Sequence, residues 1–337
     1  MSVGTDIDFL YSEAEVTASC VVARETGLRN ALDRRVDRGS AVKLLPGLYQ
    51  RASYWAGLSR DTQDRHIIRG VADQDPNRVF CFTSAAIIHG LEVSHLLPAD
   101  VHIASSKTRR RGNLVRHDVP MRDAVTVDFL NVTPFVQAVF DCMRSLSFPL
   151  ALAIADSALR LAGRTAEDFS DEMARSCKGR VGMSRALAIM GMADGRAENG
   201  GESYARAVML EHGVMVPELQ VKHWDPIGGE SFRTDFGWHG LPTGDVAGEL
   251  DGAVKTGDPK MLGSRTIRDA LRDERMRESR LTALGLKVAR FTFPQVRAVH
   301  PLLAVLDGFG VPRDASMAAV LPDPFVPSAT VDYGRFR

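Results

Sequence analysis

Cysteine is scarce. Four are present, Cys20, Cys81, Cys142 and Cys177, and no C-x-x-C pair occurs. That spacing argues against a thiolate zinc site or a disulfide framework and fits a reducing cytoplasm. Long apolar runs are also missing. No stretch reaches the roughly 18 residues of a membrane-crossing helix, so no membrane partner is expected. Residues 1–20 hold Asp6, Asp8, Glu13 and Glu15 without a basic start or apolar run, which argues against a signal peptide. Lysine occurs only at 43, 107, 178, 222, 255, 260 and 287, so basic charge is almost all arginine. Net charge is zero, from 42 basic and 42 acidic residues. That balance argues against a nucleic-acid surface until the arginines are located: they cluster at 29–38, 109–116 and 265–280.

The chain of 337 residues exceeds one ordinary core, so two or three domains are expected. Near the front, Leu28, Leu32 and Val36 recur at helical spacing after a break at Gly27. Arg29, Asn30, Arg34 and Arg38 form the opposite face, laced with Asp33 and Asp37, and Gly39 closes the helix. The strand A-V-K-L-L, the turn Pro46-Gly47 and the strand L-Y-Q follow. This order is that of a winged helix-turn-helix, whose basic helix suits base edges in the major groove.

Residues 60–165 read as mixed α/β. F-T-S-A-A-I-I-H-G-L is a helix, with Thr83 or Ser84 as its cap. V-H-I-A-S, N-L-V-R-H-D and A-V-T-V-D-F-L are strands. Lys107, Arg109, Arg110 and Arg111 fall in a loop between the first two and suit phosphate contacts. L-A-L-A-I-A-D-S-A-L-R-L-A-G is a helix ending at Gly163. A glycine-rich break at A-D-G-R-A-E-N-G-G marks the main boundary. Beyond it the order is helix, three strands, a long charged helix from about 265 to 284, a strand and a last helix. The chain after Pro322 is Pro-rich and expected to be a loose arm.

In V-A-G-E-L-D-G, Glu249 and Asp251 share one strand face. Like charges so placed need a positive neighbour: an arginine, screening solvent or a metal ion. Asp235, in F-R-T-D-F-G-W, approaches Glu249 if the two strands form a hairpin, and Glu202 leans in from the preceding helix. Oxygen ligands of this kind suit Mg²⁺ or Mn²⁺. Lys255 is placed to steady a phosphate. His89, His117 and His239 lack ligand spacing and read as hydrogen-bonded structural histidines.

D-F-G-W, G-E-L-D-G, a charged helix and V-A-R-F together resemble the PD-(D/E)XK nucleases, in the branch related to very-short-patch-repair endonucleases, over about residues 200–300. The resemblance implies a restriction-endonuclease-like α/β domain with Asp235 and Glu249 on the metal, Asp251 where lysine usually stands, and Glu202 as the helix acid. The front half, with F-T-S-A-A-I-I-H-G-L, D-V-H-I-A-S and R-R-R-G-N-L-V-R-H, is similar to AbiEi-type antitoxins over about residues 5–175. That implies a DNA-binding transcriptional regulator with a nucleotidyltransferase-like toxin as partner.

The expectation is an α/β (α+β) chain in five parts. These are a winged helix at 1–58, an antitoxin-like domain at 59–175, a linker at 176–198, a nuclease-like domain at 199–312 and a tail at 313–337. Two functions compete. One is a double-stranded-DNA-binding regulator of the toxin-antitoxin type. The other is a Mg²⁺-dependent endonuclease, with Glu202, Asp235, Glu249, Asp251 and Lys255 catalytic and Asp235, Glu249 and Asp251 on the metal.

Overall fold

The computed structural model describes residues 3–121, 123–225, 229–251, 280 and 282–325. They form a mixed α/β protein in two compact units. The first takes the chain up to Ser147, Asp168–Ala186 and the described residues from Pro324. The second takes Phe148–Glu167 and Leu187–Asp323, as far as these are described.

The first unit opens with α1 (Val3–Val16), β1 (Val21–Val22), α2 (Thr26–Asp37), β2 (Ala41–Leu45) and β3 (Leu48–Arg51). The strands form a sheet of order β1-β3-β2. Gly27 does not break a helix as expected; it lies in the first turn of α2, where chain entry is set by extended Glu25. Gly39, at φ 73, ends the helix as read from the sequence, with Arg38 as the C-cap rather than part of the helix.

After α3 (Ala52–Ala56) and α4 (Arg60–Gln74) comes a six-stranded sheet. Its strands are β4 (Val79–Phe80), β5 (Val101–Ser105), β6 (Arg109–Arg111), β7 (Leu114–Asp118), β8 (Val125–Val127) and β9 (Leu130–Val132), in the order β6-β7-β5-β4-β9-β8. Helices α5 (Phe82–Ile88) and α6 (Phe135–Ser145) belong to the same unit. Cys81, not Thr83 or Ser84, caps α5; the Ser84 hydroxyl instead accepts the His102 N–H from β5 at 2.9 Å. A-V-T-V-D-F-L is two strands, not one, because Asp128 and Phe129 turn back at φ 50 and 62. Leu45 and Leu48 pack with Ile67, Phe80, Ile103 and Val132, so the three-stranded and six-stranded sheets share a core. The expected division at residue 58 is therefore absent.

Helix α7 (Phe148–Ala162) belongs to the second unit. Its Asp156, fully buried, takes both oxygens to Arg206 Nη2 at 2.7 and 2.8 Å. The expected linker at 176–198 follows α8 (Ala166–Ser176), contains α9 (Met183–Met190) and is divided between the two units. Helix α10 (Gly200–Glu211) precedes the strands β10 (Glu218–Asp225), β11 (Glu230–Trp238), β12 (Val246–Asp251) and β13 (Lys287–Thr292). They form one sheet in that order: β10, β11 and β12 are successively antiparallel, and β13 runs parallel to β12. Two short helices follow, α11 (Phe293–Ala298) and α12 (His300–Gly308). They replace the single helix expected there, broken at Val299 with φ 61.

Strand alternation divides this sheet into two faces. Phe236, Trp238, Val246, Ala289 and Phe291 lie in the core with Val208, Leu302 and Leu306. Gly248 serves that packing: a Cβ there would come within 2.9 Å of the Trp238 ring and 3.0 Å of Phe236. Residues 313–319, the start of the expected tail, are tied to the end of α10 and the turn after it. Arg313 bridges Val214, Asp314 N–H donates to Gly213 and Ala319 N–H to Leu210.

Candidate functional site

The other face of that sheet carries the acids. Phe236 pairs with Gly248, and continuing this antiparallel register one step sets Asp235 across from Glu249. Asp235 is half-buried, Glu249 buried and Asp251 exposed. Glu249 pairs with Arg290 of β13 in the parallel register. The Arg290 guanidinium lies 3.1 Å from Glu249 Oε2 and 3.7 Å from Asp251 Oδ1. The positive neighbour demanded by the acid repeat is thus an arginine brought from a distant strand. One Asp235 oxygen accepts the Leu250 N–H at 2.9 Å.

Glu202 belongs to the same neighbourhood through electrostatics. Burial pushes its carboxyl up to about 7, and the Asp235 charge adds to the rise. Hydrogen bonds from Glu198 N–H and Gln220 Nε2, both 2.8 Å from Oε2, pull the other way. The other oxygen accepts from Asn199 Nδ2. Asn199 is the N-cap of α10 and takes the N–H groups of Gly201 and Glu202. Glu202 is therefore a buried carboxyl held at the N-terminus of α10. The N-x-x-E spacing of 199–202 is a capping signature legible in the sequence. Gln220 carried no such signal. It stands at φ 54 between the pairs Leu219–Phe236 and Val221–Thr234, and β10 skips its pairing with Asp235. Left-handed backbone at a non-glycine residue costs on the order of 1 kcal/mol or more.

The donor chemistry suits a hard cation, but the arrangement does not. Arg290 engages two of the three carboxylates, and Asp235 has one oxygen on a backbone N–H. Among the described residues, no three His, Cys, Asp or Glu side chains come close enough to hold an ion. The expected trio of Asp235, Glu249 and Asp251 is assembled on one face but bridged by a guanidinium. Lys255 and most of the charged helix at 265–284 lie outside the described residues. Arg233 pairs with Glu198.

The arginine surfaces lie in the first unit. Arg29, Asn30, Arg34 and Arg38 are all exposed. Arg29 donates Nε to the Ala23 carbonyl at 2.8 Å, which anchors its stem. Asp33 is taken up by Lys43 at 2.9 Å and the Tyr49 hydroxyl at 2.8 Å, and these hold its carboxyl below the usual range. Arg109, Arg110 and Arg111 form the edge strand β6 rather than a loop. Arg110 is committed to buried Asp100 through two 2.9 Å bonds, while Lys107, Arg109 and Arg111 are exposed. His89, His117 and His239 bond to the Thr133 carbonyl, His102 and Asp245 respectively.

Two curated relatives, the uncharacterized proteins MT2308 and Rv2248 of two Mycobacterium tuberculosis strains, are each 30% identical over 249 residues, covering 71% of this chain and 84% of theirs. No profile of a known protein family matches the chain, and no solved structure does.

Proposed function

We propose that this chain, which belongs to the family of the Mycobacterium tuberculosis protein Rv2248, is a cytoplasmic, DNA-binding transcriptional regulator of antitoxin type with a nuclease-like second unit. The observation that carries this reading is the exposed row Arg29, Asn30, Arg34 and Arg38 on and just after α2, with the β2–β3 hairpin following directly. A helix with such a face beside a hairpin presents guanidiniums to phosphates and base edges together. Internal pairing of Asp33 with Lys43 removes one of the two acids that compete on that face. Exposed Lys107, Arg109 and Arg111 would add phosphate contacts. A nucleotidyltransferase-like toxin is the proposed protein partner. No helix among the described residues is long and apolar enough to cross a membrane.

The test is a gel-shift titration with duplex from the protein's own upstream region. Arg29→Glu with Arg34→Glu is expected to abolish binding. Each lost phosphate contact should also flatten the dependence of log K on log salt by about 0.9. Unchanged binding by the double variant removes α2 from the interface. Co-purification of a toxin encoded beside the gene tests the partner.

One observation favours the endonuclease as a second reading. Acids stand on the first helix, second strand and third strand of a helix–three strands–strand unit, at Glu202, Asp235 and Glu249. The Arg290 bridge argues against it. Plasmid nicking with Mg²⁺ or Mn²⁺ that disappears in Asp235→Ala would establish that reading. DNA binding without nicking by either protein would leave the regulator.

A further inference from the structure

The six-stranded-sheet unit contains an open cleft of ≈ 350 Å³ lined by Phe82, His117, Val119, Arg144, Arg180 and Phe325, among others. Small-molecule sites span roughly 300–1,000 Å³. Arg144 and Arg180 both bind one oxygen of fully buried Asp141, at 2.9 and 2.6 Å. Two guanidiniums on one carboxylate leave an excess positive charge, and Arg144 is only 6% exposed. Asp118, the carboxylate that lines the cleft, is exposed to solvent.

The surroundings hold these charges in place. Arg144 donates Nη1 to the Val181 carbonyl at 3.2 Å, and its guanidinium is flanked by the rings of Phe82, Phe140 and Phe325 at 5.8, 5.2 and 4.4 Å. A Cβ on Gly182, which stands at φ +91, would lie 2.7 Å from Arg144 Cβ, so only glycine leaves room for that stem. Phe82 adopts φ 49, a strained conformation for an aromatic residue, and stacks on His117 with ring centres 4.0 Å apart. His117 is 2% exposed; its Nε2 meets His102 Nδ1 at 2.7 Å, and its Nδ1 has no hydrogen-bond partner among the described residues. Arg144 Nε and Arg180 Nη1 are likewise without partners there. Burial, with Arg144 nearby, pushes His117 down to about 4, so the excess charge at neutral pH belongs to the arginines. Native proteins seldom leave several buried polar groups unsatisfied in one place, and strained backbone concentrates where a ligand is held.

We infer that this cleft binds a small organic anion, its phosphate or carboxylate group held by Arg180 and Arg144 and its apolar body packed against Phe82, Val119 and Phe325. Arginine pairs recognise both anionic groups, and the rings supply apolar contact.

Calorimetric titration of the full chain with phenyl phosphate, benzoate, inorganic phosphate and benzyl alcohol tests this. Phenyl phosphate or benzoate should bind at least ten-fold more tightly than inorganic phosphate and benzyl alcohol, each of which lacks one half of the ligand. Arg180→Gln should weaken that binding at least ten-fold while thermal unfolding stays cooperative. Phe325→Ala should weaken it too, which keeps the test decisive if the arginine variant does not fold. Absence of binding by all four probes, or equal affinity in wild type and both variants, overturns the proposal. Displacement of phenyl phosphate by an unrelated DNA duplex overturns it as well, by assigning the anion site to a nucleic-acid backbone.

Discussion

Glu202 holds a proton more tightly than a free carboxylate because burial and the Asp235 charge outweigh the donors that bind it. A carboxyl raised in the fold stabilises the fold while protonated. That contribution is full below the unfolded value, near 4.5, and is lost as pH rises through about 7. Thermal stability of the second unit should therefore fall between pH 4.5 and 7.5, by on the order of 1–2 kcal/mol after allowance for partial solvent screening. Glu202→Gln should flatten that slope, which calorimetry across the range would reveal; an unaltered slope would assign it to another group. The sequence put Glu202 beside the other acids, and the structure adds the donors that hold it at the N-terminus of α10. Its charge type and helix position are visible in N-G-G-E, but its hydrogen bond from Gln220 depends on a strand whose left-handed kink has no sequence signature. Arg290 is a similar case. The acid repeat announced a cationic neighbour, and only the parallel pairing of β12 and β13 identified it.

Among the elements, the β8–β9 hairpin shows how period-two patterning misleads. A-V-T-V-D-F-L alternates well enough for a single strand, yet the chain reverses at Asp128 and Phe129 with both residues at positive φ. Two-residue hairpins favour such turns because their twist matches the strands, and glycine or asparagine normally fills them. Phe129 is 98% exposed, so it offers no packing in return. Phe129→Gly should stabilise the protein by up to about 1 kcal/mol, seen as a higher midpoint in urea. A lower midpoint would mean that the ring contributes something its exposure does not reveal. The arginine run at 109–111 follows the same lesson: β6 is an edge strand, and charged side chains on an edge discourage strand addition irrespective of DNA. By contrast α2, β2, β3 and the closure at Gly39 were all legible, because helical spacing, a Pro-Gly turn and a C-terminal glycine are local signals.

For the whole molecule, the division into units departs from the order of the chain. Helix α7 precedes α8 and α9, yet it belongs with the sheet of residues 218–292. Its Asp156 neutralises Arg206, which is 4% exposed and also donates to the Met192 carbonyl at 2.7 Å. A fragment of residues 199–312 would lack α7, losing the Asp156–Arg206 ion pair and baring the side of α10 that carries it. It should show no cooperative thermal transition by circular dichroism, whereas residues 148–323 should. In the full chain, Asp156→Ala should lower stability by roughly 3–5 kcal/mol in urea titration. A stable 199–312 fragment would restore the glycine-rich break as the true boundary.

Taken alone, the residues determined the elements: which stretches alternate, which spiral, where glycine and proline stop them, and that the acids of β12 share a face. Those properties depend on neighbours within a few positions, where backbone sterics and side-chain periodicity act. Tertiary structure decided the rest. It chose the arginine that bridges Glu249 and Asp251, the helix that pairs with Arg206 and the partners of the Arg144–Asp141–Arg180 cluster. Each of these brings in at least one residue from far along the chain, and burial, which makes such a pairing obligatory, is a property of the assembled core.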